Sequence, residues 1–549
     1  MRIALKSFLG IQPRLRAHLL PENGATEAKD LVLSRGSIEP LKAPAYVLDL
    51  AKAGPIKSIY RFGKDIDSDT VHWFHWAADA DVTRGPIPDD TMERTYFTVA
   101  GQPPMVTDAT IATADSLMPT TAYRLGVPTP ETQAIVSTTE QQNPGDLAAQ
   151  SCLLAYTYVS GWGEEGPPSA VSMPFDVKTG DTVNVSNLDG PPSGAYNITH
   201  KRLYVSVTDA TGVAVLRFWK EIAVGSGSYS EVLSLNELGE ALPDISPIPP
   251  PEDLFGIMAH PGGFMVGFSG QKVYRSEPFK PYAWPHFSPL PDDIVGGAVM
   301  GQSVVICTKR DTYMAMASDP ISLTPVRLDG NQPCVAKRSI KAFKGGVVYA
   351  SPDGLVMVDQ SGALVLVTQA LMTREQWQTY QPESMHAAVH DSLYYCWYDN
   401  GEDSGCLIFD VSDGGVLLTR SAKYVSAAYT DHRRDELYVV TDGNRLHKWN
   451  SGAARQYQWA SKPFLTERPQ NLGAAQIIAD SYPVQFQLIA TIETSAGART
   501  VTTTKNITSG RPVRLNGSYR AREHRISVQG TAIIREITVA STMANLTAV

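Results

Sequence analysis

Hydrophobic positions in this chain do not alternate evenly. They gather into short continuous runs, each followed by a tight turn and a second apolar run. Between Phe264 and Trp449 this phrase occurs five times. Phe264-Met-Val-Gly-Phe turns at Ser269-Gly270 into Lys272-Val-Tyr. Val304-Val-Ile-Cys turns at Lys309-Arg-Asp into Thr312-Tyr-Met. Val347-Val-Tyr-Ala turns at Ser351-Pro-Asp-Gly354 into Leu355-Val-Met-Val. Leu393-Tyr-Tyr-Cys-Trp is answered by Leu407-Ile-Phe, and Leu437-Tyr-Val-Val turns at Thr441-Asp-Gly-Asn444 into Leu446-His-Lys-Trp. The phrases begin at 264, 304, 347, 393 and 437, in steps of 40 to 46 residues. A strand-turn-strand unit at that period predicts a β-propeller, because one four-stranded blade cannot cover its own faces and must stack on its neighbours. A run of meanders in two stacked sheets is the alternative.

The remaining segments predict further β structure. Residues 1–50 carry too few periodic apolar positions for a core and are expected to be an arm. Leu15 to Leu20 and Glu27 to Leu33 read as weak helical turns. Residues 51–145 are expected to close the propeller. The hairpin from Ile59-Tyr-Arg-Phe62 through Gly63–Ser68 to Val71–Trp76 would supply a sixth blade, and Asp79, Asp81, Arg84 and Asp89-Asp90 read as a polar loop before a strand at Thr91–Phe97. Residues 146–235 predict a fibronectin III-like β-sandwich, with a hairpin from Ile198–Val207 to Val213–Trp219 around Asp209-Ala-Thr-Gly212. Residues 236–255, rich in proline, are a linker. Blades fill 256–455, and 456–549 predicts a second sandwich. The fold class is all-β throughout.

Composition narrows the chemistry. The 549 residues hold 43 Gly, 38 Pro and 23 Tyr, which suits many strands joined by tight turns, and the net charge is −9, which excludes a globally basic nucleic-acid binder. Five scattered cysteines, none in a CxxC pair, argue against a disulfide framework or a zinc site and fit synthesis in a reducing cytoplasm. Cys307 and Cys396, inside apolar strands, read as small core residues. There is no apolar run long enough to span a membrane, and Met1-Arg-Ile-Ala-Leu-Lys lacks the apolar core of a signal peptide.

No constellation for catalysis stands out. No Gly-x-Ser-x-Gly, His-Glu-x-x-His or P-loop occurs. His72 and His75 are three apart on a strand and point to opposite faces, so they do not form a metal pair. Asp353-Gly354 and Asp442-Gly443 read as turn residues rather than calcium loops. No catalytic, cofactor-binding or metal-ligating residue is assigned, and no cofactor is expected. Arg511, Arg514, Arg520, Arg522 and Arg525 make the C-terminal region locally basic, either as a solvated face or as a contact for an acidic neighbour or for DNA phosphates.

A family resemblance rests on local stretches. Gly10-Ile-Gln-Pro-Arg14, Leu19-Leu-Pro, Ala25, Ala28, Leu33-Ser-Arg-Gly36 and Leu41-Lys-Ala-Pro44 resemble the opening of tail nozzle (tail tubular) proteins of short-tailed bacteriophages. Thr83-Arg-Gly-Pro-Ile, Glu93-Arg-Thr-Tyr-Phe and Tyr123-Arg-Leu-Gly-Val-Pro128 resemble phage virion proteins. So do Tyr158-Val-Ser-Gly-Trp-Gly-Glu-Glu-Gly-Pro-Pro-Ser169, Trp459-Ala-Ser-Lys-Pro-Phe464, Val513-Arg-Leu and Tyr519-Arg-Ala-Arg-Glu523. The resemblance implies a non-enzymatic virion protein made in the host cytoplasm. It implies a homohexameric ring around a DNA-ejection conduit, which retains packaged DNA and binds a tail adaptor and fibre or needle proteins. The segments Pro278 to Pro291 and Glu402 to Gly405 are candidate gating loops. Two other readings are a receptor-recognition or hub protein of another phage tail, and a propeller glycosidase. The second would need paired carboxylates at the channel mouth.

Overall fold

The computed structural model describes residues 1–33, 35–63, 67–140, 148–178, 180–208, 214–243, 247–412, 415–494, 497–515, 517 and 519–547. The Asp209–Gly212 turn and part of the Gly63–Ser68 turn lie outside them.

Seven small antiparallel sheets stand around a central channel. Blade 1 is the two-stranded pair Ser58–Arg61 and Trp73–Trp76. Blade 2 runs Ala80–Arg84, Thr95–Val99, Met105–Thr107 and Tyr123–Arg124. Blade 3 runs Phe255–His260, Phe264–Ser269, Lys272–Arg275 and His286–Pro289, and blade 4 Ile294–Met300, Ser303–Thr308, Thr312–Met316 and Val326–Arg327. Blade 5 runs Lys341–Phe343, Gly346–Ala350, Leu355–Val358 and Leu364–Leu366, and blade 6 His386–His390, Leu393–Asp399, Ser404–Ser412 and Gly415–Ser421. Blade 7 runs Ala427–Asp431, Glu436–Thr441 and Arg445–Lys448, and its outer strand is Ala45–Asp49 from the other end of the chain. The first strand of each blade lies against the first strand of the next, and blade 7 returns to blade 1.

This is an all-β propeller, and the five apolar phrases are the second and third strands of blades 3 to 7. The second strands read as continuous apolar runs for a physical reason: neighbouring blades cover both of their faces. Residues of Phe264–Phe268, Ser303–Thr308, Gly346–Ala350 and Leu393–Tyr398 are buried without alternation. Among the described residues the ring has seven sheets rather than six. The extra one is blade 2, whose first strand contains Asp81, so Asp79 and Asp81 belong to the inner wall and not to a polar loop.

A β-sandwich is inserted between blade 2 and blade 3. One sheet pairs Ile135–Thr139, Thr182–Ser186 and Tyr229–Val232. The facing strands are Leu154–Ser160, Ile198–Thr208 and Ala214–Ala223, with Gln150–Cys152 pairing Phe175–Val177. Leu154, Tyr156, Val183, Val185, Leu203 and Leu233 fill its own core. The sandwich therefore opens near residue 134 and not at 146. The proline segment after it is packed rather than free: Pro249 and Pro250 lie over Gly126, whose φ of 94° keeps it glycine, and Trp284 donates its backbone N–H to Ile248 at 2.6 Å.

The N-terminal segment is not an arm. Arg2–Leu5 pairs with the C-terminal strand Ile534–Ala540, and Ala25–Lys29 is a strand between Gly415–Ser421 of blade 6 and Tyr457–Ser461. Blade 6 thereby continues into the C-terminal sheet of Tyr457–Ser461, Ala521–Gly530, Val484–Thr494 and Gly497–Ile507. The sheet facing it contains Arg2–Leu5, Ile534–Ala540 and Ala474–Ala479. Ala28, Leu31, Trp459, Phe486, Val528 and Ile537 are completely buried between them. Of the expected helical turns only Ala17–Leu19 forms, as a 3-10 turn. Glu27 to Leu33 is extended because Ala25 and Ala28 must face that core.

Candidate functional site in the propeller channel

The channel narrows to a cavity of about 390 Å³ lined by the inner strands of all seven blades. A single 3-10 turn, Lys337–Ser339, between blades 4 and 5 puts two cations into it. The Lys337 ammonium crosses to blade 2, reaching Asp81 at 2.6 Å and Asp79 at 2.7 Å, and lies 5.9 Å from the ring centre of Phe255 in blade 3. Its stem packs on Gly296 of blade 4, where a Cβ would meet it at 3.1 Å. Arg338 donates to the carbonyls of Lys57, before blade 1, and Ser426, before blade 7. Two consecutive residues from one turn thus tie blades 1, 2, 3, 4 and 7 across the axis. Asp81 also accepts the Gly256 N–H at 2.9 Å, which fixes the entry to blade 3.

Electrostatics explain why Lys337 stays charged. Burial disfavours its charge, but Asp81 and Asp79 outweigh burial and raise its pKa. Arg338 is lowered by burial, with Asp79 opposing. Lys341, at the start of the inner strand of blade 5, is lowered by burial and then by the neighbouring Arg338 charge. His386 of blade 6 is pushed well below its ordinary value by burial and by Arg338, so it faces this cluster as a neutral imidazole. It stacks on Trp397 at 5.5 Å.

Elsewhere, His75 sits with Nδ1 2.9 Å from the Trp73 carbonyl while Nε2 accepts the Lys52 N–H at 3.1 Å, a two-sided hydrogen-bonding role. Burial lowers its pKa. His72 takes a positive φ of 59° at the turn into Trp73–Trp76 and does not join it. His390, Asp391 and Asp435 come together at the turns of blades 6 and 7. One ligand atom of each lies within 4.8 Å of the others, and the shortest approaches, at 3.4 and 3.8 Å, use different ring nitrogens of His390. Cys307 and Cys396 are fully buried, and burial raises both thiols. Arg511, Arg514, Arg520 and Arg522 are exposed, and among the described residues no carboxylate pairs with them.

Neither candidate gating loop is free. In Pro278 to Pro291, Trp284 is buried with its indole N–H on the Pro281 carbonyl at 2.7 Å, and His286–Pro289 is the outer strand of blade 3. Glu402 to Gly405 is a hairpin turn pinned by Asn400, whose Oδ1 accepts the Glu402 and Asp403 N–H groups at 3.0 and 2.6 Å. The channel cations were invisible in the sequence as a site, because Lys337-Arg338 looks like an ordinary solvated pair. The available signal was the isolated Asp79-x-Asp81 pair at a strand start.

No family model matches this chain. No curated protein matches it either. Among solved structures it is similar to BamB from Moraxella catarrhalis, at 12% identity over 64% of this chain and 94% of that one, TM-score 0.24. It is also similar to a quinonprotein alcohol dehydrogenase-like protein from Bacteroides thetaiotaomicron, at 12% identity over 75% and 96%, TM-score 0.28. A third is Hsv2 from Kluyveromyces lactis, at 8% identity over 47% and 74%, TM-score 0.23. At these scores the fold assignment rests on the sheets themselves.

Proposed function

We infer that this chain is a non-catalytic ring subunit of a short phage tail, a nozzle protein that lines a DNA-ejection conduit between adaptor and fibre or needle proteins. The observation that carries this reading is where the resembling stretches lie. Gly10–Arg14, Ala25 to Pro44, Trp459–Phe464 and Tyr519–Glu523 are far apart in sequence, yet they share one body. Phe8 meets Trp459 edge to face at 5.1 Å, the Trp459 indole donates to the Leu9 carbonyl at 3.2 Å, and Lys462 donates to the Leu20 carbonyl at 2.6 Å. In this reading DNA passes along the axis of the assembled ring. The propeller's own channel is crossed by the Lys337 ion pairs and is too narrow for a duplex. The exposed arginines after residue 510 are then available to an acidic neighbour or to phosphates.

The test is the mass of the purified chain in solution, alone and with its adaptor. A closed ring formed on the adaptor supports the reading. A chain that stays monomeric with the adaptor and hydrolyses polysaccharide, with turnover abolished by one Asp or Glu substitution, overturns it in favour of a propeller glycosidase.

A further inference from the structure

The channel carries more positive than negative charge. Lys57, Lys337, Arg338 and Lys341 line it against two carboxylates, Asp79 and Asp81. Both carboxylates are used by Lys337, at 2.6 and 2.7 Å, and Arg338 reaches Asp79 only at 3.9 Å. Among the described residues no hydrogen-bond acceptor pairs with the Lys341 ammonium, and no carboxylate pairs with Lys57. Lys341 is half-buried, and water reaches it down the channel. A half-buried cation without a paired counterion is costly, and among the described residues the acids that act on it, Asp79 and Asp81, are already engaged by Lys337. His386 beside it is neutral and adds no charge. The cavity, at about 390 Å³, exceeds by far the roughly 10–15 Å³ that one water needs.

We propose that the propeller channel binds a small free anion with two or more charges on phosphate or carboxylate oxygens, held by Lys341 together with Lys57 and Arg338. The site is independent of the nozzle reading and would stand if that reading fell. The anion completes the charge balance that Asp79 and Asp81 leave unfinished. It ties blade 5 to the start of blade 1, the two-stranded blade of the ring.

The test uses the full chain in chloride buffer, titrated with potassium phosphate or citrate at matched ionic strength. At saturation the thermal midpoint is expected to rise by about 2 °C, the shift a ligand at a hundred times its Kd gives a chain of this size. Lys341→Met is expected to have a higher midpoint than wild type in chloride, since it removes the unpaired charge, and to lose the response to phosphate. Lys341→Arg should keep it. An equal response from wild type and K341M, or no response beyond the chloride control, would overturn the site. Phosphorus NMR of inorganic phosphate with the wild-type chain needs no variant: line broadening relieved by citrate supports the site, and an unbroadened line refutes it.

Discussion

The junction between the inserted sandwich and blade 2 is built on a carboxyl group that resists ionisation, and that gives it a calculable pH dependence. Glu164, in the sandwich loop Gly161 to Ser169, is buried. It accepts from Arg94 of blade 2 at 3.0 Å, while Arg94 also donates to Asp90 at 2.8 Å. Burial pushes the Glu164 carboxyl up to about 7; Arg94 opposes the shift and Asp90 adds to it. Arg94 itself is raised despite burial, through Tyr96, Asp90 and Glu164, so the guanidinium is charged throughout and the titrating partner is Glu164. A carboxyl raised from 4.5 to about 7 favours its protonated form in the docked state. The stabilisation is therefore complete below pH 4.5 and is lost as pH rises through 7, by about 3 kcal/mol in all. Glu164→Gln is nearly isosteric and cannot ionise, so its junction lacks this dependence. Hydrogen exchange reads the effect locally at Ser160 and Gly166, whose N–H groups donate to Glu164 and Tyr158 carbonyls at 2.9 and 3.0 Å. The protection of wild type relative to E164Q should fall about 100-fold between pH 5 and pH 8. A ratio flat across that range would show that Arg94 fully neutralises the carboxylate, and would refute the reasoning.

Three more outcomes are expected. Lys337→Met leaves Asp79 and Asp81 facing each other without their cation; the thermal midpoint should drop by about 2 °C, from a loss of about 2–3 kcal/mol, and adding Asp79→Asn and Asp81→Asn should recover most of it. Gly10→Ala places a Cβ 2.2 Å from the Leu418 carbonyl oxygen, so it should expose the first 24 residues to limited proteolysis at a cost of more than about 2 kcal/mol. A fragment of residues 130–242 should melt cooperatively by circular dichroism. Residues 146–235 should not, because they omit Ile135–Thr139, which pairs with Thr182–Ser186.

What the sequence revealed follows burial on two faces. The second strands of blades 3 to 7 are covered by neighbours on both sides, so selection for apolar residues is continuous and the period shows. Blade 2 was hidden because its two outer strands, Met105–Thr107 and Tyr123–Arg124, are short and the sandwich interrupts the chain after them. Ala45–Asp49 looked extended, but its partner Arg445–Lys448 lies some 400 residues on, and no local pattern records such a pairing. The channel hub was hidden for a different reason. Its members are common charged residues whose meaning comes only from Lys337 crossing the axis to Asp79 and Asp81.

That long-range pairing also bears on what this chain can offer a partner. Arg2–Leu5 pairs with Ile534–Ala540, Ile38 bridges Ile534, and Ala45–Asp49 closes blade 7. The N-terminal residues are consumed within the chain itself: Ile11, Ala25, Ala28, Leu31 and Leu41 are buried. Removing residues 1–40 would strip the C-terminal sandwich of a strand in each sheet instead of freeing a docking arm. It would also expose Trp459 and Ile537, each worth roughly 2 kcal/mol or more of burial. In the ring proposed for this chain, contacts with neighbours would therefore come from surfaces that remain uncovered. The exposed arginines of the C-terminal sandwich and the rims of the blades meet that condition, and the N-terminal segment does not.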